Sequence, residues 1–528
     1  MKNHIPSALT LAVSLVLAQA ASAQFQGPST GSTPYLLPSN ALIQTHSIIT
    51  VDNVTSADDL IGGYGMAGIP DGLGAFQTSA DISNGTFTVL MNHELQATAG
   101  AVRAHGATGA FVSQWTINKN TLAVTAGSDL IQQVSTWNTG SSSYNAPTTG
   151  IQIGRLCSGD LAAPSAYFDS GTGFGTTARI FQSGEESGAE GRQFAHIVTG
   201  AAAGISYELP RLGKFSWENG VANPNSGVQT VVIGTDDSSP GQIYVYVGTK
   251  TNTGNDIERA GLTNGNLFGI KAPVALESRT NGLDGATPGA EDSVAFTMHN
   301  FGNVQNTTGA ALQTASGLAG VTEFLRPEDV HWDPNTSDIA YFVTTDTLNA
   351  SGGRSRLYKL DFNDSDFTLG GQLTMLIEGG TPGDGDMFDN MVVTMDGKIV
   401  LQEDPGGNAV NAKVWSYDIA TDTLTEIAKH DVARFGEGPT LPTAPFTNNE
   451  EASGVIDITD LMAGSALNTG NPGEKWYLMD VQAHYNGGIT SAQVEGGQLL
   501  AVHVVPEPST AICLLGGLGM LLGLRRRA

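Results

Sequence analysis

Cysteine is almost absent from this sequence, which contains only Cys157 and Cys513. Cys513 lies in an apolar run near the C-terminus, so we do not expect an internal disulfide in the processed protein. The sequence also lacks the Cys/His spacing of zinc sites and a Gly-x-Ser-x-Gly elbow near a strand-to-helix pattern. A lone exported cysteine is either a small buried hydrophobe or a metal or redox residue. The residue itself leaves both alternatives open.

Basic residues are also scarce. The chain has 24 Lys and Arg against 51 Asp and Glu, and its formal net charge is −27. Such a surface repels nucleic acid and anionic membranes, so we expect no nucleic-acid partner. An acidic exported protein gains solubility from this charge, but the same composition is typical of proteins with several calcium sites, which need clustered carboxylate and carbonyl oxygens.

The N-terminus predicts export. Lys2 and His4 precede an apolar run, and Ala21-Ser22-Ala23 supplies a small-residue cleavage site. Residues 1–23 are therefore predicted to be a signal peptide.

The C-terminus resembles a second targeting segment. Its apolar run, Ala511 to Leu524, is shorter than the roughly 20 residues of a membrane span. Together with a Val-Pro-Glu-Pro start and a terminal arginine cluster, residues 505–528 resemble the PEP-CTERM sorting signal of Gram-negative bacteria. The resemblance implies a location in the periplasm, on the outer surface or in the extracellular matrix. It also implies an exosortase-type processing enzyme as partner, and exopolysaccharide as a further candidate partner.

The sequence between these ends, residues 24–504, predicts a single all-β domain. Gly reaches 67 of 528 residues, and short alternating runs are separated by Gly, Asn and Asp clusters. No fixed repeat period emerges, which favours an irregular β-propeller with loop insertions, with a sandwich pair as the alternative. Gly140–Thr149 and Asn303–Gly320 are predicted to be surface excursions. The predicted strands are Gly85–Met91, Phe111–Ile117, Thr230–Gly234, Gln242–Gly248, Ala340–Thr345, Arg356–Asp361, Gly397–Gln402, Val414–Asp418 and Trp476–Val481.

Two of these strands predict a hairpin. Ile339–Thr345 and Arg356–Asp361 lie on either side of the segment Asn349–Arg354, whose Ser and Gly residues are typical of a turn.

Acidic residues recur beside residues that restrict the backbone. Arg326-Pro327-Glu328 is the most specific of these motifs, because proline fixes φ and presents a cation and an anion in a defined relationship. Alone, each motif is weak, since an acidic residue near a strand end is most often a solvated turn residue or half of a surface ion pair. The other motifs are Gly184-Glu185-Glu186, Phe215–Glu218, Thr235-Asp236-Asp237, Glu450–Gly454, Asn92-His93-Glu94 and Asp389-Asn390.

The order of the motifs resembles that of the PhoX-type alkaline phosphatases, which are secreted β-propeller enzymes. Arg326-Pro327-Glu328 matches that family's motif outright. The other similar segments are Asp71-Gly72-Leu73, Met91–Glu94, Arg155–Gly159, Gly184-Glu185-Glu186, Leu212–Glu218, Gly234–Asp237, Asp389-Asn390 and Met395–Leu401.

The resemblance implies a site with iron and calcium. Residue by residue it makes Cys157 a thiolate ligand of iron and Arg326 the residue that binds phosphate. A ferric ion keeps a thiolate deprotonated, so the cysteine needs no disulfide partner. The implied metal ligands are Cys157, Glu186, Glu218 and Glu328, with Asp236 and Glu451 as further candidates.

Three positions depart from the family's pattern. Asp160 and Gly184 replace a glycine and a cysteine, and Trp217 replaces a histidine. Such changes are compatible with an enzyme of altered rate and with a member that has kept the scaffold and lost the chemistry. The leading hypothesis is an exported metal-dependent phosphatase, a phosphoric monoester hydrolase that acts on small phosphate esters. The alternative is a non-catalytic calcium-binding propeller of the envelope or matrix.

Overall fold

The computed structural model describes residues 23–51, 60–277, 283, 293–346, 355–364, 366–379, 385–408 and 410–506. The predicted signal peptide up to residue 22, the sorting segment from residue 507 onward, Cys513 and the predicted turn at 349–354 lie outside these residues. In the described part of the chain, no helix combines the length and the apolar character needed to cross a membrane.

Six β-sheets, called blades 1 to 6 in chain order, make up most of the described chain. In each blade the inner strand is followed outward by antiparallel neighbours, except that the outermost strands of blades 2 and 6 pair in parallel with the strand beside them. From the inner strand outward they are: blade 1, Pro70–Phe76, Thr86–His93, Phe111–Asn118 and Val124–Asp129; blade 2, Leu156–Asp160, Ile180–Glu185, Gln193–Ile197, Ile205–Glu208 and Gln133–Ser135; blade 3, Trp217–Ala222, Gln229–Asp236, Gly241–Thr249, Asn266–Lys271 and Ser293–Gly302; blade 4, Pro327–Trp332, Ile339–Thr344, Arg356–Phe362 and Gly371–Glu378; blade 5, Phe388–Val393, Lys398–Glu403, Lys413–Asp418, Thr423–His430 and Leu36–Pro38; blade 6, Glu450–Asp457, Lys475–Ala483, Gly496–Val504, Ile43–Val51 and Ala23–Gln26.

The inner strands close into a ring. Each contacts the inner strand of the next blade, and that of blade 6 contacts that of blade 1. Blade 6 joins both ends of the domain, because Ile43–Val51 pairs antiparallel with Gly496–Val504. The fold is therefore a closed β-propeller, as predicted, and the sandwich alternative is wrong.

All nine predicted strands are present. The predicted hairpin is confirmed as well, since Ile339–Thr344 pairs antiparallel with Arg356–Phe362. Ser293–Gly302 connects two blades, pairing at one end with Asn266–Lys271 and at the other with Gly371–Glu378.

Buried apolar clusters fill the spaces between consecutive blades. Between blades 2 and 3, Trp217 stacks on Phe215 with ring centroids 3.9 Å apart. Burying a large apolar side chain stabilises the fold by about 1.5–3 kcal/mol. These clusters hold the blades face to face and so fix the positions of the inner strands.

The remaining elements are short and connect the blades. The two predicted excursions contact each other, since Asn306 Nδ2 donates to Ser142 Oγ at 2.9 Å. Trp137, just before the first excursion, also donates from Nε1 to Asn306 Oδ1 at 2.9 Å. The described helices are Ser79–Asn84, Asp256–Arg259, Gly309–Ala319 and Val432–Phe435, with 3₁₀ turns at Pro164–Ala166, Gly188–Glu190 and Pro210–Leu212. The remaining short strands are Leu60–Ile61, Tyr64–Gly65, Trp137–Asn138, Ser143–Tyr144, Phe168–Asp169, Phe174–Gly175 and Glu323–Phe324.

Candidate metal centre

The second residue of every inner strand carries a side chain able to bind a metal. In blades 1 to 5 the register of the strand pairing shifts across this residue, and in blade 6 it shifts slightly later in the strand. A bulge of this kind bends the strand and changes the direction of a side chain. These residues are called the inner ring: Asp71, Cys157, Glu218, Glu328, Asp389 and Glu451.

A second residue in each blade directly follows the end of the second strand, which returns to the same face. Its backbone N–H donates to the carbonyl two residues before the inner-ring residue, as between Glu186 and Arg155 at 2.8 Å and between Asp404 and Met387 at 2.9 Å. This shared bond places the six residues at equivalent positions. They are called the outer ring: Glu94, Glu186, Asp237, Thr345, Asp404 and His484.

The two rings combine into repeated groups of three. Each group contains the inner and outer residues of one blade and the inner residue of the next blade. In blades 1, 2, 3 and 5 one potential ligand atom from each residue lies within 4.8 Å of the other two. These triads are Asp71–Glu94–Cys157, Cys157–Glu186–Glu218, Glu218–Asp237–Glu328 and Asp389–Asp404–Glu451.

Blades 4 and 6 break the pattern at the outer ring. Blade 4 has Thr345 there, whose hydroxyl donates to the carbonyl of Phe388. Blade 6 has His484, which contacts Glu495 at 2.7 Å and Glu451 at 3.8 Å. Burial disfavours the charge on His484, but these carboxylates raise its pKa to about 10.

The triads have the donor chemistry of a metal centre. Their nine carboxylates outnumber the nearby cations, and all are buried except Asp237, Asp404 and Glu451, which are partly buried. Burial, reinforced by Asp237, raises the pKa of Glu218 to about 8, and burial with Glu451 raises that of Asp404 to about 7. The pKa of Asp71 is likewise raised, first by burial and then by the charge of Glu218. Buried carboxylates that destabilise one another in this way are stabilised by a bound cation, and oxygen donors suit hard ions.

Cys157 faces these carboxylates and not an apolar cluster. Its Sγ donates to Asp71 Oδ2 at 3.3 Å, and it belongs to two triads. Burial, and then Asp71, raises the thiol pKa well above its ordinary value, so a thiolate here requires a metal partner.

Two arginines lie over the triads. Arg326 Nε and Nη2 donate to the two oxygens of Asp237 at 2.9 and 3.0 Å, and Nη2 lies 2.7 Å from Glu328 Oε1. Arg155 Nε donates to Glu94 Oε1 at 2.6 Å, and its Nη2 pairs with Glu186.

Neutral side chains orient the ring from below. Ser158 Oγ donates to Glu218 Oε1 at 2.7 Å and accepts from Asn390 Nδ2 at 2.6 Å. Gln482 Nε2 donates to both Asp71 and Glu94 at 3.1 Å. Partners of this kind fix the directions of metal-binding carboxylates.

The comparisons with known proteins agree with the propeller fold. A family model described as alkaline phosphatase PhoX matches residues 206–440. The structure of Pseudomonas fluorescens PhoX in complex with vanadate, a transition state analogue, has a TM-score of 0.54 at 12% identity and covers 91% of this chain and 97% of that chain. The family match spans somewhat less than half of the chain, and the likeness to the solved PhoX structure shows a shared fold.

Other solved structures are less similar. An α-L-arabinofuranosidase from Podospora anserina in complex with cellotriose has a TM-score of 0.31 at 13% identity, covering 71% of this chain and 97% of that chain. A Synechocystis apocarotenoid oxygenase variant has a TM-score of 0.33 at 10% identity, covering 86% and 97%. No curated protein matches the sequence.

The PhoX family match covers part of the rings only. Residues 206–440 include Glu218, Asp237 and Arg326, but Cys157 and Glu451 lie outside them. The remaining ring residues are grouped with these three because they occupy equivalent positions in their blades, and not because of the family match.

The structure brings most of the predicted site residues together. Cys157, Glu186, Glu218 and Glu328 lie in adjoining triads under Arg326, and Glu451 lies in the triad of blade 5. Their roles as ligands stay predictions.

Asp236 is not in a triad. Its carboxylate accepts from Gln313 Nε2 at 2.6 Å and from Ser238 Oγ at 2.8 Å, while its neighbour Asp237 occupies the outer ring. The sequence Asp236-Asp237 alone does not show which of the two carboxylates belongs to the ring.

Five carboxylates of the two rings were not predicted from the sequence to be metal ligands. Four of them lie in the motifs noted there, but their roles depend on blade positions that the sequence spacing does not reveal. Asp404 lies in no motif and follows an ordinary strand. The five are Asp71, Glu94, Asp237, Asp389 and Asp404.

The departures from the PhoX pattern lie outside the triads. A Cβ at Gly184 would lie 2.3 Å from the Cβ of Trp217, so the tryptophan requires a glycine there. Asp160 lines a cavity of about 250 Å³ below the ring, and burial raises its pKa to about 7. None of the three positions removes a triad member.

We predict that removal of cations makes the fold sensitive to alkaline pH. Because the folded pKa values of Glu218 and Asp404 lie above those of the unfolded chain, the cation-free native state holds extra protons from about pH 4.5 to 8, and stability falls as pH rises through this window. Calcium should reverse the loss, by about 2.7 kcal/mol at a hundredfold excess over Kd. Thermal unfolding from about pH 5 to 9, with and without calcium, measures this. A melting temperature independent of both pH and calcium would contradict it.

Proposed function

We propose that this protein hydrolyses phosphate monoesters at a centre that holds iron and calcium. The observation that carries the proposal is the repeated triad, which occurs four times around one face and lies beneath two guanidiniums. The match of residues 206–440 to the alkaline phosphatase PhoX family model supports the phosphatase class.

The donor types suggest how the two metals divide among the triads. Cys157 belongs to the triads of blades 1 and 2, and a thiolate among carboxylates suits iron. The triads of blades 3 and 5 offer oxygen alone, which suits calcium. Bound cations would polarise the phosphoryl oxygens and activate the water that attacks phosphorus.

The residues of the chain position the ester. Arg326 offers a planar fork of N–H donors that suits two phosphate oxygens, and its contacts with Asp237 and Glu328 hold it above the ring. Ser158, Asn390 and Gln482 keep the carboxylates in place, so little reorganisation is needed as charge develops on the transferring phosphoryl group.

The depth of the ring favours small monoesters. The side chain of Glu328 is 1% exposed, whereas that of Arg326 above it is 25% exposed. A terminal phosphoryl group is narrow enough to pass the guanidiniums and has three oxygens free for charge-assisted contacts. Export to the envelope or beyond, with processing of the C-terminal tail, is part of the proposal and rests on the terminal segments alone.

A colorimetric assay tests the proposal. Purified mature protein supplied with iron and calcium should hydrolyse p-nitrophenyl phosphate and should hydrolyse bis-p-nitrophenyl phosphate much more slowly. Absence of phosphatase activity at full metal occupancy would favour the non-catalytic calcium-binding propeller instead.

We also predict that Cys157→Ser loses iron. Serine keeps the size of the side chain but is not deprotonated easily, so the triads of blades 1 and 2 would lack their soft ligand. Elemental analysis should find reduced iron with calcium largely retained, and circular dichroism should find the propeller intact. Stoichiometric zinc in the wild-type protein, with no iron, would contradict the assignment.

A further inference from the structure

Arg155 occupies the same position in blade 2 that Arg326 occupies in blade 4. Each lies two residues before an inner-ring residue, and its carbonyl accepts from the outer-ring position, Glu186 in one case and Thr345 in the other. Both have positive φ, +43° and +57°. The corresponding residues of the other blades are Ile69, Ser216, Met387 and Asn449, so only blades 2 and 4 place a guanidinium here.

Backbone strain does not distinguish the arginines. A positive φ is costly for a residue with a side chain, but Ile69 and Met387 also have it, at +49° and +55°. The left-handed conformation therefore recurs at this position in four of the six blades, with or without an arginine. What distinguishes blades 2 and 4 is the cation.

The two guanidiniums use the same atoms to contact ring carboxylates, and each contacts the outer-ring residue of the preceding blade. Arg155 uses Nε and Nη2 to contact Glu94 and Glu186, and Arg326 uses Nε and Nη2 to contact Asp237 and Glu328. Among the described residues, Nη1 of neither arginine has a protein hydrogen-bond partner. Each therefore retains N–H donors for a ligand.

Both arginines lie at the mouth of the site. The side chain of Arg155 is 35% exposed and that of Arg326 25% exposed, whereas their carboxylate partners are at most 9% exposed. An anion that approaches from solvent therefore meets the guanidiniums before the carboxylates.

Glu218 lies between the two arginines. It forms one triad with Glu186, the partner of Arg155, and the next triad with Asp237 and Glu328, the partners of Arg326. An oxyanion over Glu218 thus has one guanidinium on each side.

We propose that Arg155 is a second phosphate-binding residue, which binds the ester's phosphoryl oxygens opposite Arg326. The inference rests on the proposed phosphatase function and adds a residue to it. A second guanidinium beside Arg326 also reduces electrostatic repulsion. A phosphate dianion is repelled by an acidic chain unless positive charge lies at the entrance of the site.

The test compares Arg155→Gln and Arg155→Lys with a matched arginine outside the rings. Arg192 is the control, because it lies in the same segment and pairs with Glu185, which belongs to neither ring. Arg155→Gln is expected to raise both KM for p-nitrophenyl phosphate and the inhibition constant of inorganic phosphate by about tenfold or more. Arg155→Lys should lie in between, since a point charge lacks the fork, and Arg192→Gln should leave both constants unchanged.

Metal analysis separates phosphate binding from support of the ring. Arg155→Lys keeps a cation between Glu94 and Glu186, so it should retain full metal content and still bind phosphate more weakly. Arg155→Gly removes the side chain where glycine suits the backbone, and added guanidinium should partly restore phosphate affinity. Unchanged phosphate inhibition in Arg155→Lys and Arg155→Gln at full metal content would overturn the proposal. A wild-type protein that binds inorganic phosphate but hydrolyses no ester would instead refute the proposed function alone.

Discussion

Replacing Arg326 by alanine is expected to lower kcat for p-nitrophenyl phosphate by roughly 10²-fold or more. The reason is that a guanidinium contributes most where negative charge grows on the transferring phosphoryl group. In the structure Arg326 holds two carboxylates at 2.7 to 3.0 Å and reaches solvent with part of its side chain. Lysine should restore only part of the activity, because one ammonium group does not reproduce two parallel N–H donors.

Two controls make the Arg326 result interpretable. Metal analysis of the variant is needed, because loss of a cation would imitate loss of the arginine. Arg211→Ala removes a comparable arginine, whose contacts with Gln305 and the carbonyl of Gly265 lie outside both rings, and should leave kcat unchanged. An Arg326→Ala protein with full metal content and undiminished activity would remove the residue from the site.

Glu218→Gln is expected to have the broadest effect of any ring substitution. Glu218 is the only carboxylate that belongs to two of the four triads, so the change removes an anionic ligand from both. Replacing merely a hydrogen-bonding partner of a metal ligand often costs 10–100-fold in metal affinity or activity, so loss of a shared ligand should cost at least about 10²-fold in kcat/KM. Measured metal content should fall in parallel.

Glu185→Gln provides the matched control for Glu218→Gln. Glu185 is also buried and strand-borne, but it pairs with Arg192 and lies outside the triads. We expect it to lower the melting temperature, because a buried ion pair is broken, without loss of metal. Equal metal loss in the two variants would contradict the special role given to Glu218.

The strands of this fold could be predicted from the sequence, because alternating runs bounded by Gly and Asn report local structure. The helix Gly309–Ala319 could not. Its sequence has no wide apolar stripe, and only Leu312 among its large side chains enters the core between blades 2 and 3. Its start depends on the Thr308 cap and its end on Gly320 at φ 67°, which are local signals inside a segment that otherwise reads as loop.

The site could be predicted in part, through the resemblance to the PhoX family. Glu328 follows Arg326-Pro327, a motif specific enough to identify its position. Asp404 has no such neighbour, and its place in the outer ring follows from a backbone bond to Met387, which directly precedes the inner strand of the blade. Long-range pairing of this kind leaves no local mark in the sequence.

The repeat of the blades could not be recognised as a period in the sequence, for a related reason. The inner-ring residues recur once per blade, but the insertions between them differ in length, from the short connection between Glu328 and Asp389 to the long one between Glu218 and Glu328. No constant period therefore emerges, although the strand positions are equivalent in three dimensions.

The central claim is that cations held by the triads carry phosphatase activity. It is tested most directly by measuring p-nitrophenyl phosphate hydrolysis by one preparation as purified, after complete chelation, and after stepwise return of iron and calcium. The account predicts that activity disappears on chelation and returns only when both ions are restored, with iron failing to return activity to Cys157→Ser. Full activity in protein shown by elemental analysis to contain neither ion would contradict it.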